Sequence, residues 1–328
     1  MRVGVLGVGA VGARAVRQLA TISDPPQVVI TDRNPAQVER LASALAPTVA
    51  GVGPGEFGRL DVVVLCTAAP HAGLAEAHLR AGTSVVSVSD DVADVDRLLQ
   101  LGPLAREHGR TLIVGAAFAP GLSGLLARYA AARFDSVDEI HVAAHGTGGP
   151  ACARQHHRAL AGLALVWQDG MWIERTSGSG RELCWFPEPV NAHDCYRAEL
   201  VDPMLLVPAF PDVRRVSARL SATRRDRVTA RLPMLRRPHP EGTLGGLRVE
   251  VRGTRDGARE VEVLGAIDRP AVAAGAVAAV AVTHVLARDA PTGAVGMADA
   301  RLDTEGLLAE LAFRGVKAAR YTGSEARS

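Results

Sequence analysis

The chain has 328 residues, enough for two domains, and its formal net charge of +2 points to neither nucleic acid nor an anionic membrane surface. Its four cysteines are scattered without a C-x-x-C pair, as in a reducing compartment, and a single lysine, Lys317, stands among many arginines. The longest apolar run, residues 270–283, is too short to span a bilayer, and the first residues enter a core strand directly. A soluble cytoplasmic protein without a signal peptide is therefore expected.

Residues 3–6 form a short apolar strand, followed at once by Gly7-Val8-Gly9-Ala10-Val11-Gly12 with G-x-G-x-x-G spacing. A helical pattern at Val11, Ala15, Val16 and Leu19 comes next, then a strand over 28–30 that ends at Asp32. Each part suits a dinucleotide. Gly7 allows the tight turn, Gly9 lets the backbone approach a pyrophosphate, and Gly12 lets helix and strand pack closely. The helix N-terminus offers free N–H groups to the phosphates. Asp32 is placed to accept from the ribose hydroxyls. The expected cofactor contacts here are Gly7, Gly9, Ala10, Val11, Gly12 and Asp32. The Asp32 charge argues for NAD, and Arg33 beside it leaves NADP open.

Strands at 61–66, 83–88 and 111–114 alternate with helices at 72–81 and 92–108. The segment between Asp32 and Asp61 leaves room for only a reduced third strand. This is the order of a doubly wound parallel sheet. After Leu122 the pattern changes. It gives a helix at 122–134, a strand at 139–144, a loop at 145–150 and a helix at 151–165. Short strands at 171–173 and 183–186 lead to a polar loop at 187–197 and a helix at 223–235. Segments 247–252 and 260–267 flank Asp256-Gly257 as a hairpin, and helices at 271–287 and 304–313 finish the chain. The predicted class is α/β, a Rossmann doubly wound parallel sheet over residues 1–121. A second α+β substrate and dimerisation domain, largely antiparallel, covers 122–270. The C-terminal helices of 271–328 return to the first domain.

The stretch Gly115-Ala116-Ala117-Phe118-Ala119-Pro120-Gly121-Leu122-Ser123 resembles the domain exit of the saccharopine dehydrogenase-like family of NAD(P)-dependent oxidoreductases. Val64-Leu65-Cys66-Thr67-Ala68-Ala69-Pro70 resembles that family's fourth strand and the turn beside the nicotinamide ribose. Val86-Ser87-Val88-Ser89-Asp90 looks like its next strand end. The hairpin and the alanine-rich helix that follows it agree as well. The resemblance implies cofactor contacts at Cys66, Thr67, Ala68, Ser89, Ala117 and Phe118. It also implies hydride transfer at a C–N bond of an amino acid-like substrate, and a homodimer. The family's Asp or Asn before the Pro-Gly is Ala119 here, which removes a polar side chain near substrate or nicotinamide.

Such chemistry calls for a carboxylate clamp and a proton carrier titrating near neutrality. Two clusters supply candidates. Arg154 and Arg158 lie one turn apart on a predicted helix, as a clamp or a solvated basic face, with His145 and His157 nearby as proton carriers. Cys152 and His156 are also one turn apart, but no further ligand is evident near them in sequence, so no metal is expected. In the polar loop, Asp194 and Tyr196 could meet a substrate amine and Arg197 its carboxylate, or the loop could serve an interface. Residues 214–237 hold nine arginines and one acid, Asp226. The apolar positions Val228, Leu232 and Leu235 and the absence of aromatics mark a solvated helix face rather than a nucleic-acid site. Two other functions stay open. One is a dinucleotide-binding sensor or partner subunit without turnover. The other is an enzyme that uses its cofactor for a non-redox outcome.

Overall fold

The computed structural model describes residues 1–234 and 237–321. The first half alternates strands and helices: β1 (Arg2–Leu6), α1 (Ala10–Ala20), β2 (Gln27–Thr31), α2 (Pro35–Ala44), β3 (Val49–Gly51) and β4 (Val62–Leu65). Then come α3 (Ala72–Arg80), β5 (Ser84–Ser87), α4 (Val92–Gln100), α5 (Gly102–Glu107), β6 (Thr111–Val114) and α6 (Leu122–Ala131). The middle holds β7 (Ser136–His145), α7 (Pro150–Ala159), β8 (Leu163–Gln168), β9 (Met171–Thr176), β10 (Glu182–Trp185) and β11 (Ala192–Arg197). It continues through α8 (Asp202–Ala209), β12 (Arg215–Ser221), α9 (Arg224–Thr229), β13 (Gly245–Arg255) and β14 (Ala258–Asp268). The last elements are α10 (Pro270–Leu286), β15 (Gly293–Gly296), α11 (Thr304–Phe313) and β16 (Lys317–Arg320).

Among the described residues, seven strands form one parallel sheet in the order β15-β6-β5-β4-β1-β2-β3. Apart from β15, this is the Rossmann order, and its reversal point lies between β1 and β4. β4 is Val-Val-Val-Leu and buried throughout, as a strand covered on both faces must be. The carboxyl ends of β1, β4, β5 and β6 therefore open into one crevice. At the first of these, a side chain on Gly12 would run into the Gly7 carbonyl oxygen, so close packing of turn and helix requires glycine there.

The second sheet is mixed, running β10-β11-β12-β7-β13-β14-β16, with β8 on β12 and β9 on β8. β7 and β12 are parallel, and the other neighbours are antiparallel. The β13–β14 hairpin turns at Asp256 and Gly257, both with positive φ (50° and 76°), as its two-residue turn demands. α10 leaves β14 directly and packs on α1 beneath the glycine turn. A Cβ on Gly275 would stand 2.9 Å from the Ala15 amide nitrogen. The chain then adds β15 to the first sheet.

Several expectations are corrected. The helix expected over 92–108 is two helices, because Gly102-Pro103 interrupts the hydrogen-bond ladder, and Leu101 caps the first one. The helix expected over 151–165 ends at Ala159. Residues from Leu163 alternate exposed and buried, with Ala164 and Val166 inward, and form β8. The polar loop at 187–197 is half strand, since 192–197 pairs with both β10 and β12 as β11. α9 begins at the Thr223–Asp226 capping box but stops at Thr229, leaving Val228 and Leu232 75% and 56% exposed. Leu235 lies outside the described residues. The last segment, 317–320, is a strand, β16, on which Lys317 is exposed.

Gly275→Val should destabilise the protein by about 1–3 kcal/mol, the usual cost of overpacking, read as a lower urea midpoint with an unchanged slope. Gly73→Ala, in α3 with nothing within 4 Å of the added Cβ, should be neutral or gain up to about 1 kcal/mol.

Candidate functional site

The crevice at the sheet's carboxyl ends is a cleft of about 340 Å³, within the range of small-molecule sites. One wall is built by the turns of the parallel sheet: Gly9, Ala10 and Val11 after β1, and Cys66, Thr67 and Ala68 after β4. Ser89 after β5 and Ala117, Phe118 and Ala119 after β6 continue it. The opposite wall comes from the end of β7 and the start of α7, with His145, Cys152, Arg154, His156 and Arg158. The N-terminal ends of α1 and α7 thus both border the same space.

The expected cofactor contacts of the four turns lie together on this wall, except for the two glycines and the acid that shape the first turn. Gly7 and Gly12 face each other within that turn. Asp32 accepts from the Val8 amide (2.8 Å) and the Asn34 amide (2.9 Å), which ties the end of β2 to the glycine turn. Arg33 beside it is exposed. A second hollow on the far side of Gly9 and Ala10 is lined by Arg14, Arg17 and Arg40.

Of the expected substrate and proton-transfer residues, His145, Arg154 and Arg158 meet in the cleft. His157 and Asp194 do not border it. They line an adjoining hollow, where His157 Nε2 meets the Leu232 carbonyl at 3.0 Å. Asp194 forms an ion pair with Arg181 at 2.9 Å. Tyr196 is buried on β11 under the Arg227 guanidinium, 4.1 Å from its ring centroid. Arg197, on the same strand, borders neither space. The geometry therefore keeps Tyr196 and Arg197 out of the cleft, while Asp194 shares the adjoining hollow with His145 and His157.

The cleft also contains groups that the sequence did not single out as reactive. Asp90, from the loop after β5, approaches Cys152 and His156, and potential ligand atoms of the three lie within 4.8 Å of one another. The third ligand missing from the sequence reading is thus present, 62 residues upstream of Cys152 and supplied by the other sheet. Nothing in local spacing could reveal it. Asp202, buried at the start of α8, accepts from the Ser123 hydroxyl at 2.5 Å.

Burial shifts several groups in and behind the cleft wall. Burial raises Asp90, against the pull of His156 and Arg158. Burial and the nearby Asp90 push the Cys152 thiol up. Burial lowers His156, although Asp90 and Asp202 oppose it. His145 falls to about 4, through burial and then the His193 ring stacked on it at 4.0 Å. Asp202 rises to about 6, again chiefly through burial.

This fold, a Rossmann sheet joined to a mixed sheet across a cleft, is that of dinucleotide-binding dehydrogenases. Residues 2–91 match the family described as NADP oxidoreductase, coenzyme F420-dependent. Myo-inositol dehydrogenase Hyg17 of Streptomyces leeuwenhoekii is 31% identical over 174 residues, which span 52% of this chain and 53% of that protein. The chain thus spans about half the length of this curated relative. Apo saccharopine dehydrogenase (L-Glu forming) from Saccharomyces cerevisiae superposes with a TM-score of 0.70, covering 98% of this chain and 100% of that one at 16% identity. Amine dehydrogenase from Mycobacterium smegmatis gives 0.52 over 90% and 94% at 14% identity. The chain is similar to nicotinamide-dependent oxidoreductases in its first domain and shares their fold along nearly its whole length.

Asp202 gives a pH signature. Its carboxyl titrates at about 6 in the folded chain and near 3.8 when unfolded, so the unfolded chain loses its proton first as pH rises. That group's contribution to stability should fall by about 2–3 kcal/mol between pH 4 and pH 7. Asp202→Asn should therefore gain on the wild type by that amount across the range, measured by urea denaturation at both ends. A constant difference would mean that Asp202 is not perturbed.

Proposed function

We propose that this protein is an NAD(P)-dependent oxidoreductase that transfers hydride at a C–N bond of an amino acid-like substrate. The observation that carries the reading is the composition of the cleft. Its glycine-turn wall suits a nicotinamide dinucleotide, and the facing wall presents two arginines at the mouth and two histidines within. Arg154 and Arg158 hold the substrate carboxylate from the exposed rim of α7. His145, lowered to about 4 by burial, is neutral at pH 7 and able to accept the proton that an amine releases on oxidation. The cofactor supplies the hydride chemistry, and the chain orients the carbon and takes the proton.

NAD is the preferred cofactor in this reading, because the Asp32 carboxylate stands at the end of β2 against a 2′-phosphate. Arg33 and the arginines of the neighbouring hollow keep NADP as the second choice. An alcohol of a sugar or polyol is the second substrate class, favoured by the likeness to the inositol dehydrogenase. We place the protein in solution as a cytoplasmic homodimer.

Purified protein should turn over NADH or NAD with an imine or amine panel that includes carboxylated members. Turnover only with polyols would replace the substrate class, and none with either panel would remove the oxidoreductase reading. Arg154→Ala and Arg158→Ala should each lower kcat/KM by about 10–100-fold, mainly through KM, as expected for losing a charged hydrogen bond of about 1.5–3 kcal/mol. Asp32→Ala should weaken NADH binding more than NADPH binding, measured by fluorescence titration. Equal loss for both would sink the preference.

A further inference from the structure

We propose that Asp90, Cys152 and His156 form a binding site for a zinc-type divalent cation in the wall of the cleft, with one coordination position open to it. Cys152 and His156 stand one helical turn apart on α7, and the thiol sulfur lies 3.6 Å from Nε2. Tetrahedral zinc with bonds of about 2.3 Å to sulfur and about 2.0–2.1 Å to nitrogen places those two atoms about 3.6 Å apart. The pair therefore already has the spacing of two ligands on one ion. Asp90 brings a carboxylate oxygen to the same place from a different sheet, with the three ligand atoms within 4.8 Å of one another.

The chemistry of the set narrows the ion. A thiolate, an imidazole and one carboxylate suit zinc or a similar borderline metal, whereas magnesium and calcium ask for oxygen ligands throughout. Two anionic ligands and one neutral ligand balance a charge of +2, so the ion would enter this buried wall without net charge. Three protein ligands with a fourth position free is the arrangement of catalytic rather than structural zinc. The free position faces the cleft, since all three residues line it alongside Cys66, Thr67 and Ala117. The second ring nitrogen of His156, Nδ1, is buried, with the Gly146 carbonyl beside the ring but outside hydrogen-bonding geometry. A small turn of the imidazole on binding would give it that acceptor.

At a pH where Asp90 is ionised, binding forms a metal–sulfur bond and releases the thiol proton to solvent, one proton per ion. The bound ion would take a substrate heteroatom as its fourth ligand and polarise it. That role rests on the oxidoreductase reading, but the site itself does not.

The test uses the intact chain, stripped with a chelator and titrated with Zn²⁺ or Co²⁺. One equivalent per chain should bind, with a thiolate-to-cobalt charge-transfer band and release of a proton. Cys152→Ser, His156→Gln and Asp90→Asn should each weaken binding by more than the roughly 10–100-fold typical of losing an outer-shell partner. His157→Gln, on the next residue of the same helix, should bind like the wild type. Substoichiometric binding, or Cys152→Ser binding as tightly as wild type, would overturn the site and leave a hydrogen-bonded thiol, imidazole and carboxylate. Metal binding without turnover would leave the site standing and remove the oxidoreductase reading. Turnover by the fully stripped protein at an undiminished rate would leave the oxidoreductase reading standing and remove the ion's part in turnover.

Discussion

The contact between α1 and α10 at Gly275 holds the molecule together as a working unit. α1 carries the glycine turn at its N-terminus, and α10 is the direct continuation of β14 from the other sheet. With Gly275 backed against Arg14 Cβ and the Arg14–Ala15 backbone, the two helices approach closely at that point. The helix that carries the glycine turn is thereby held against the continuation of the second sheet with little room for adjustment. Such packing is stiff, and it sets how far the turn that suits a dinucleotide stands from the wall that would present a substrate.

That placement explains the character of the cleft. Groups from the end of β7, from α7 and from the loop after β5 converge along this space, with Asp202 of α8 buried near His156. Each titratable group named there is pushed toward its neutral form: acids up, histidines down, the thiol up. Isolated charges are costly in such a place, and a ligand that supplies the missing partner is correspondingly favoured. Both proposals draw on this condition. A substrate carboxylate is met at the exposed rim by guanidinium groups, and a cation is met further in by groups that gain from giving up their protons.

The first sheet was legible because its signals are local. A glycine turn, an apolar four-residue run and an acid at a strand end lie within a few residues of one another, and the hairpin at Asp256-Gly257 is legible for the same reason. The errors have a common source. Gly102-Pro103 lies inside an apolar helical pattern that hides the break. The strand over 163–168 was absorbed into a helix because its pairing partners, β9 and β12, lie elsewhere in sequence. The two polar clusters are far apart in sequence yet share a hollow, where His145 stacks on His193, and only the strand order brings β7 and β11 that near. Asp90 was invisible as a neighbour of Cys152 and His156, because only the meeting of the two sheets brings it there.

The one lysine stands exposed on β16, at the edge of the second sheet. No ε-amino group therefore borders the cleft, and an aldehyde or ketone held there meets no side-chain primary amine with which to condense. A chain that handles carbonyl or imine compounds in such a space is protected by composition from forming a Schiff base with itself.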